Sequence, residues 1–189
     1  MQVQTASHNN KEKELSEAVF SVNVINVITP PKDFHLGKWN SRELNDLEWK
    51  RLKEKMITQG LKPFSMEHML PLVIDPRHVD PECTLPAPNA YHAKPFKLSP
   101  AGESQLTVLE FAGGRHRLQA VADIHGEKAA AVKALRTEVK DSQNKNTKST
   151  DEAKEKQITM AELKSCLVKL EAELEEVQKW GVILYDYSK

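Results

Sequence analysis

The chain has 189 residues, and its 27 basic side chains are balanced by 27 acidic ones. This balance excludes a global basic field, so nucleic acid and anionic membranes are not expected partners, and any affinity for phosphate must be local. The chain has no apolar run near the roughly 20 residues of a membrane helix and only two widely spaced cysteines, so we expect a cytoplasmic or nuclear protein without a zinc site or disulfide.

The first sixty residues predict a tail, a strand and a helix. Residues 1–17 are polar and lack periodicity, which is typical of a disordered tail. Residues 18–28 alternate larger apolar residues with smaller or polar ones and are rich in β-branched residues, so they predict a strand that a pair of prolines ends. Leucines at helical spacing then predict a helix with Asn40 as its N-cap and Gly60 as its terminating residue.

Two short apolar runs in the middle of the chain, 70–75 and 106–112, predict buried strands. The segment between them, 75–105, contains six prolines and no periodicity, which predicts a long loop without regular structure. Loops of this length are usually lids over a ligand or disordered segments, and both alternatives stay open.

The remainder of the chain predicts two helices and a last strand. Apolar residues at helical spacing predict a helix over 116–139, which Gly126 kinks or interrupts, and the polar segment 140–156 predicts a linker. A coiled-coil seam follows, which we expect to pack against the first of these helices. Its members are Met160, Leu163, Leu167, Leu170, Leu174 and Val177. Gly181 predicts the stop of the second helix, and residues 180–187 predict a strand that re-enters the sheet.

The chemistry is concentrated where the run 106–112 meets the long helix. Gly113 and Gly114 permit close approach to the backbone, whose free N–H groups lie at the positive end of the helix dipole. Arg115, His116 and Arg117 follow at once and add donors that match phosphate oxygens. Cations at a helix N-terminus oppose its dipole, so an anionic ligand is favoured over the alternative of an ordinary tight connection.

This segment also resembles a family signature. Gly114, His116, Arg117 and Ala120 reproduce the pattern G-x-H-R-x-x-A, which is similar to that of the ParB/sulfiredoxin superfamily, and the likeness covers roughly residues 20–126. The resemblance implies an α/β (α+β) fold with a small mixed sheet and flanking helices. The sheet domain would comprise 18–126 plus 180–189, and 127–179 would be an inserted helical hairpin.

The resemblance implies a nucleotide-binding protein rather than a thiol enzyme. Sulfiredoxins carry a nucleophilic cysteine where this chain has Arg115, so sulfiredoxin chemistry is excluded at this position. ParB-type members bind CTP at the corresponding segment, and others resemble small-molecule kinases or nucleases. We therefore expect the phosphates of ATP or CTP, with or without Mg²⁺, to bind at residues 113–117.

Three residues outside the turn are weaker candidates. The family also uses the helix before the second strand to touch phosphates, which corresponds loosely to Arg51 and Lys55, although exposed helix charges are an equal alternative. Glu110 is the nearest acidic residue and would be catalytic if the protein were a nucleotide-dependent phosphotransferase or hydrolase. Its place between Leu109 and Phe111 on a strand also fits a side chain that faces solvent.

A second hypothesis makes the protein a non-catalytic interaction module. In that case residues 157–179 and the proline-rich loop would bind a protein partner, and the apolar seam from Met160 to Val177 would face that partner instead of the core. The glycine turn would then have no ligand.

Overall fold

The computed structural model of the protein describes residues 19–36, 43–84, 93–144 and 150–186. The described strands are β1 (Val19–Asn26), β2 (Asp33–His35), β3 (Leu70–Ile74), β4 (Lys94–Pro95), β5 (Val108–Phe111) and β6 (Lys179–Asp186). The described helices are α1 (Asp46–Gln59), α2 (Pro100–Gln105), α3 (Arg115–Asn144) and α4 (Thr150–Gln178), with a 3-10 turn at Pro76–His78. The predicted tail 1–17 and the predicted cap Asn40 lie outside the described residues.

The six strands form one mixed sheet in the order β2-β5-β3-β6-β1-β4. β6 lies in the middle, parallel to β3 and antiparallel to β1, so the end of the chain does re-enter the sheet. The pairs β2–β5 and β1–β4 are parallel, whereas β3 and β5 are antiparallel. The expected α/β fold is confirmed at this level.

The main core lies between one face of this sheet and the helices. Alternation along each strand sends every second side chain to that face. The buried members from the central strands are Leu70, Leu72, Ile74, Leu109, Phe111, Trp180, Val182 and Leu184. Val121 and Ile124 of α3 and Val177 of α4 pack against them. Glu110 falls on the other face, since its neighbours Leu109 and Phe111 are buried in this core.

Helix α1 begins later than predicted. Residues 43–45 are not helical, and Asn45 is the N-cap, with its Oδ1 accepting from the backbone N–H groups of Leu47 and Glu48. In the described part of the chain the helix therefore starts from a second N-cap signature, five residues after the predicted one. The helix ends as predicted at Gly60, whose φ of 80° suits glycine.

The proline-rich segment 75–105 is more ordered than predicted in its described parts. Two of its prolines, Pro76 and Pro100, occupy the first turns of the 3-10 turn and of α2, where the absent N–H costs nothing. The segment also supplies β4 and four side chains to the core, Val79, Cys83, Phe96 and Leu98. A lid is therefore the wrong description of these parts, because burial of their apolar side chains fixes them to the sheet. Residues 85–92 lie outside the described part.

Helices α3 and α4 form a hairpin. α3 runs unbroken through Gly126, so the predicted interruption is wrong. Residues 140–144 and 150–156 of the predicted linker are helical. The seam of α4 packs against α3, as predicted. Ion pairs join Lys128 to Glu173 at 2.6 Å and Arg136 to Glu171 at 2.7 Å.

Gly181 has a different role from the predicted helix stop. α4 ends at Gln178, and Gly181 lies inside β6. A Cβ at Gly181 would stand 2.9 Å from both the carbonyl oxygen of Pro63 and Cγ of Met69, and its N–H donates to that oxygen at 3.1 Å. Glycine is needed here because another backbone segment crosses close to the strand.

None of the helices in the described ranges is both long enough and apolar enough to span a bilayer.

Candidate functional site

The glycine turn connects the end of β5 to the start of α3. Ala112 donates its N–H to the carbonyl of Pro71 at 2.9 Å, which fixes the turn to β3. Gly114 has a φ of 92°, and a Cβ there would collide with Cδ2 of the fully buried Leu70. Glycine is therefore required at this position by both the backbone conformation and the core.

The first turn of α3 presents backbone N–H groups that precede the helix's own hydrogen bonds. The carbonyl of Gly114 accepts the helix's first hydrogen bond, from the N–H of Leu118 at 2.8 Å. The N–H groups of Arg115, His116 and Arg117 precede that bond and so have no acceptor within the helix. The first turn contains no acidic residue, and the helix is 30 residues long. The positive end of its dipole is therefore left without a carboxylate of its own.

His116 joins the start of α3 to the start of α1. Its Nε2 accepts a hydrogen bond from the backbone N–H of Asn45 at 2.9 Å. An accepting Nε2 places the proton of the neutral ring on Nδ1. The same Nε2 lies 3.5 Å from Oε2 of Glu48, whose side chain is 65% exposed. Two helix N-termini thus lie side by side at the turn, and the first turn of α1 carries two carboxylates, Asp46 and Glu48.

Arg115 and Arg117 both reach backbone carbonyls. Arg115 donates from Nη2 to the carbonyl of Leu36 at 3.3 Å, just beyond β2. Arg117 donates from Nη1 to His68 at 2.7 Å and from Nη2 to Glu67 at 3.4 Å. Both arginines therefore link the start of α3 to neighbouring segments.

The guanidinium of Arg117 is partly buried. Its Nε is buried without a hydrogen-bond partner, and no described carboxylate forms an ion pair with it. This burial lowers the pKa of Arg117, because a charged group loses solvation there. The carbonyl of His68 that accepts from Arg117 also accepts from Nε1 of Trp180 at 2.9 Å. Arg117 thus ties the segment before β3 to α3, and Trp180 ties the same segment to β6.

Arg51 and Lys55 are on α1 but away from the turn. Both are exposed, and the turn contacts α1 at Asn45 and Glu48, at its beginning. At 1.5 Å per residue, Lys55 lies about 15 Å further along the helix than Asn45. Lys55 instead lines a cavity of about 210 Å³ beside Trp180. Among the described residues, no hydrogen bond or ion pair joins Arg51 or Lys55 to residues 113–117, and their role in phosphate binding stays a prediction.

Glu110 is separated from the turn by the sheet itself. It projects from the face opposite to α3, where its Oε1 lies 3.7 Å from Nδ1 of His35, and it lines a cavity of about 380 Å³. Asp75 and His78 line the same cavity. A catalytic role for Glu110 in phosphate chemistry at the turn stays an untested prediction that this geometry does not support.

Asn45 and Glu48 are the neighbours of the turn that the sequence analysis missed. The spacing Asn-x-x-Glu before a helix is itself a capping signature, so residues 45–48 indicate the start of a helix. Asn40 and Glu43 have the same spacing, so the sequence contains two possible starts for this helix. Contact with His116 had no local signal, because 71 positions separate the two partners.

Across the described ranges, no group of three or more His, Cys, Asp or Glu side chains is arranged to hold a metal ion. Comparisons of the chain with models of protein families, with curated proteins and with solved structures yield no match.

Proposed function

We propose that this protein binds a nucleotide, ATP or CTP, through its phosphates at residues 113–117. The observation that carries the proposal is the contact between Asn45 and His116, which sets the N-termini of α1 and α3 side by side. α3 contributes a positive partial charge at that end with no acidic residue in its first turn, and this charge favours an anion. α1 carries Asp46 and Glu48 in its own first turn, so its contribution is largely offset. The resemblance of the turn to the ParB/sulfiredoxin signature supports the same ligand class.

Each residue of the turn would have a distinct task. The backbone N–H groups of residues 115–117 and Nδ1–H of His116 would donate to phosphate oxygens, and Arg115 would add a charged donor. Arg117 would act through structure, since its guanidinium holds the carbonyls of Glu67 and His68. Gly114 would allow the phosphate to approach the backbone closely.

Glu48 gives the proposed site a dependence on Mg²⁺. A carboxylate 3.5 Å from Nε2 of His116 repels a phosphate bound beside that ring. Glu48 would help to hold a divalent cation beside the phosphates, and the positive charge of that cation would offset the repulsion. Phosphoryl transfer at the turn would use this carboxylate rather than Glu110.

Calorimetric titration of the full chain with ATP, CTP and GTP, each with and without Mg²⁺, tests the proposal. We expect binding by at least one nucleotide that is tighter with Mg²⁺, and a loss of about tenfold or more in affinity in Arg115→Ala and in His116→Ala. Glu48→Gln should strengthen binding in the absence of Mg²⁺, because it removes the repulsive charge. Arg136→Ala, an equivalent deletion on the distant hairpin, is the matched control and should bind normally.

Two results would overturn the proposal. One is an absence of binding for all three nucleotides under both conditions. The other is binding that Arg115→Ala and His116→Ala leave unchanged, since the ligand would then lie elsewhere.

The seam from Met160 to Val177, on which the interaction hypothesis rests, is half-buried or buried, and α4 packs against α3. A partner for this helix would have to bind the opposite face of α4.

A further inference from the structure

Helix α4 carries a second seam, opposite the one that packs against α3. Its residues recur at steps of three and four, offset by two positions from the first seam, which places them about 160° away around the helix. The five members are Ile158, Ala161, Ser165, Val168 and Ala172, and all five are exposed. The two large ones are well exposed, Ile158 by 62% and Val168 by 66%. We call these five residues the outer seam.

The outer seam is positioned away from the sheet. α3 is about 45 Å long at 1.5 Å per residue, and its contacts with the main core are made near its start, at Val121 and Ile124. Val177, which belongs to the first seam and lies near the end of α4, is also part of the main core. The hairpin between these points projects beyond the sheet, so the outer seam can be reached along its length.

Charged residues flank the outer seam in a pattern that favours one relative orientation for two paired α4 helices. Glu162 and Lys169 lie on one side of it, and Lys164 and Glu171 on the other. In a parallel pair of α4 helices, Lys164 would face the Lys169 of the other copy, which is a like-charge contact. In an antiparallel pair centred between Ser165 and Val168, each lysine faces a glutamate.

We propose that two copies of this chain associate through the outer seam, with their α4 helices antiparallel. The small residues Ala161, Ser165 and Ala172 let the two helices approach closely, and Val168 is covered near the centre of the interface. Glu162 pairs with Lys169 of the second copy, and Lys164 with Glu171. Arg136 of the same chain donates to Oε1 of Glu171 and thereby holds that carboxylate at the rim.

The interface is small and made largely of short side chains, so the association is a weak, concentration-dependent equilibrium. It does not rest on nucleotide binding, because the turn at residues 113–117 lies at the other end of the hairpin's first helix. Substitutions at the turn should leave the association unchanged.

Sedimentation of the full chain over a range of concentrations tests the proposal. The mass should rise from 21.4 kDa towards twice that value as the concentration increases. Val168→Glu should hold the protein at the monomer mass, whereas Ile57→Glu, which alters an equally exposed apolar residue on α1, should associate like the parent chain. Circular dichroism of each variant confirms that the helices are intact, since both sites are exposed.

Charge reversal tests the orientation. Lys169→Glu and Glu162→Lys should each weaken the association several-fold, and the double variant should restore it, because an antiparallel pair then regains opposite charges. A parent chain that stays monomeric at its highest attainable concentration would overturn the proposal. So would a dimer that Val168→Glu leaves intact, or a double variant weaker than both single ones.

Discussion

The backbone N–H of Asn45 donates to Nε2 of His116 over 2.9 Å, and this hydrogen bond connects the first residues of two helices. His116 is therefore a structural link between α1 and α3. Its ring is held at Nε2 by the start of α1. The other contacts of the turn determine which of its residues can be substituted without unfolding the chain.

His116→Ala should loosen the beginning of α1 without unfolding the protein. The substitution removes the acceptor for the N–H of Asn45, a residue that is exposed and so regains a hydrogen bond to water, and the expected cost is about 1 kcal/mol. Hydrogen exchange should show lost protection in the first turn of α1 and little change in β3 or β6. His116→Gln, which keeps an acceptor on a side chain of similar reach, should retain part of the protection. Equal loss across the whole sheet would contradict this local role.

Gly114→Ala should destabilise the protein by about 2 kcal/mol or more, because alanine disfavours a positive φ and its Cβ would press on a core leucine. That leucine, Leu70, is fully buried, so its side chain would have to shift within the core. Gly113→Ala is the matched control, since its Cβ would meet only Cγ and Cδ of Pro71, at 3.4 and 4.0 Å. Urea unfolding of both variants measures the difference. Similar midpoints for the two would show that the turn tolerates a Cβ at either glycine.

Gly126→Ala should raise the stability of the protein. Gly126 lies inside α3, is exposed, and has no atom within 4 Å of the place where a Cβ would stand. Alanine in an exposed helix interior is about 0.5–1 kcal/mol more favourable than glycine, because it loses less backbone freedom on folding. Thermal unfolding should show a higher Tm. A lower Tm would mean that the helix needs the glycine for a reason outside the described contacts.

Asp75 should make the stability depend on pH in the acidic range. Hydrogen bonds from the side chain and the backbone N–H of Arg77 lower the pKa of Asp75 from 3.8 to about 2. Because the folded state has the lower pKa, the stabilisation is complete above pH about 4 and is lost as the pH falls towards 2. The difference in unfolding free energy between the parent chain and Asp75→Asn should therefore shrink over that interval.

Arg77→Gln serves as the partner variant for this pH effect. It should remove most of the same pH-dependent difference, because the guanidinium is the largest cause of the lowered pKa. A difference between the parent chain and Asp75→Asn that is the same at pH 6 and at pH 2 would show that the interaction is not electrostatic.

Much of the chain's secondary structure could be predicted because it is encoded locally. Strands β1, β3, β5 and β6 were found from short apolar or β-branched runs, and the long helix α3 from its 3.6-residue period. The segment 75–105 was misjudged for a physical reason. Its prolines interrupt every periodicity, yet the apolar residues between them, such as Phe96 and Leu98, are held by the sheet rather than by neighbours in sequence.

The sequence by itself determined that a strand ends at a pair of glycines, that a cationic helix start follows, and that the protein has a mixed α/β character. These features follow from residue type and spacing within a few positions. Only the tertiary structure decided that His116 meets Asn45, that Arg117 holds the segment before β3, and that Glu110 lies across the sheet. Such contacts join residues about 50 to 80 positions apart or depend on which face of a strand is buried. The residue types within a few positions determine neither of these.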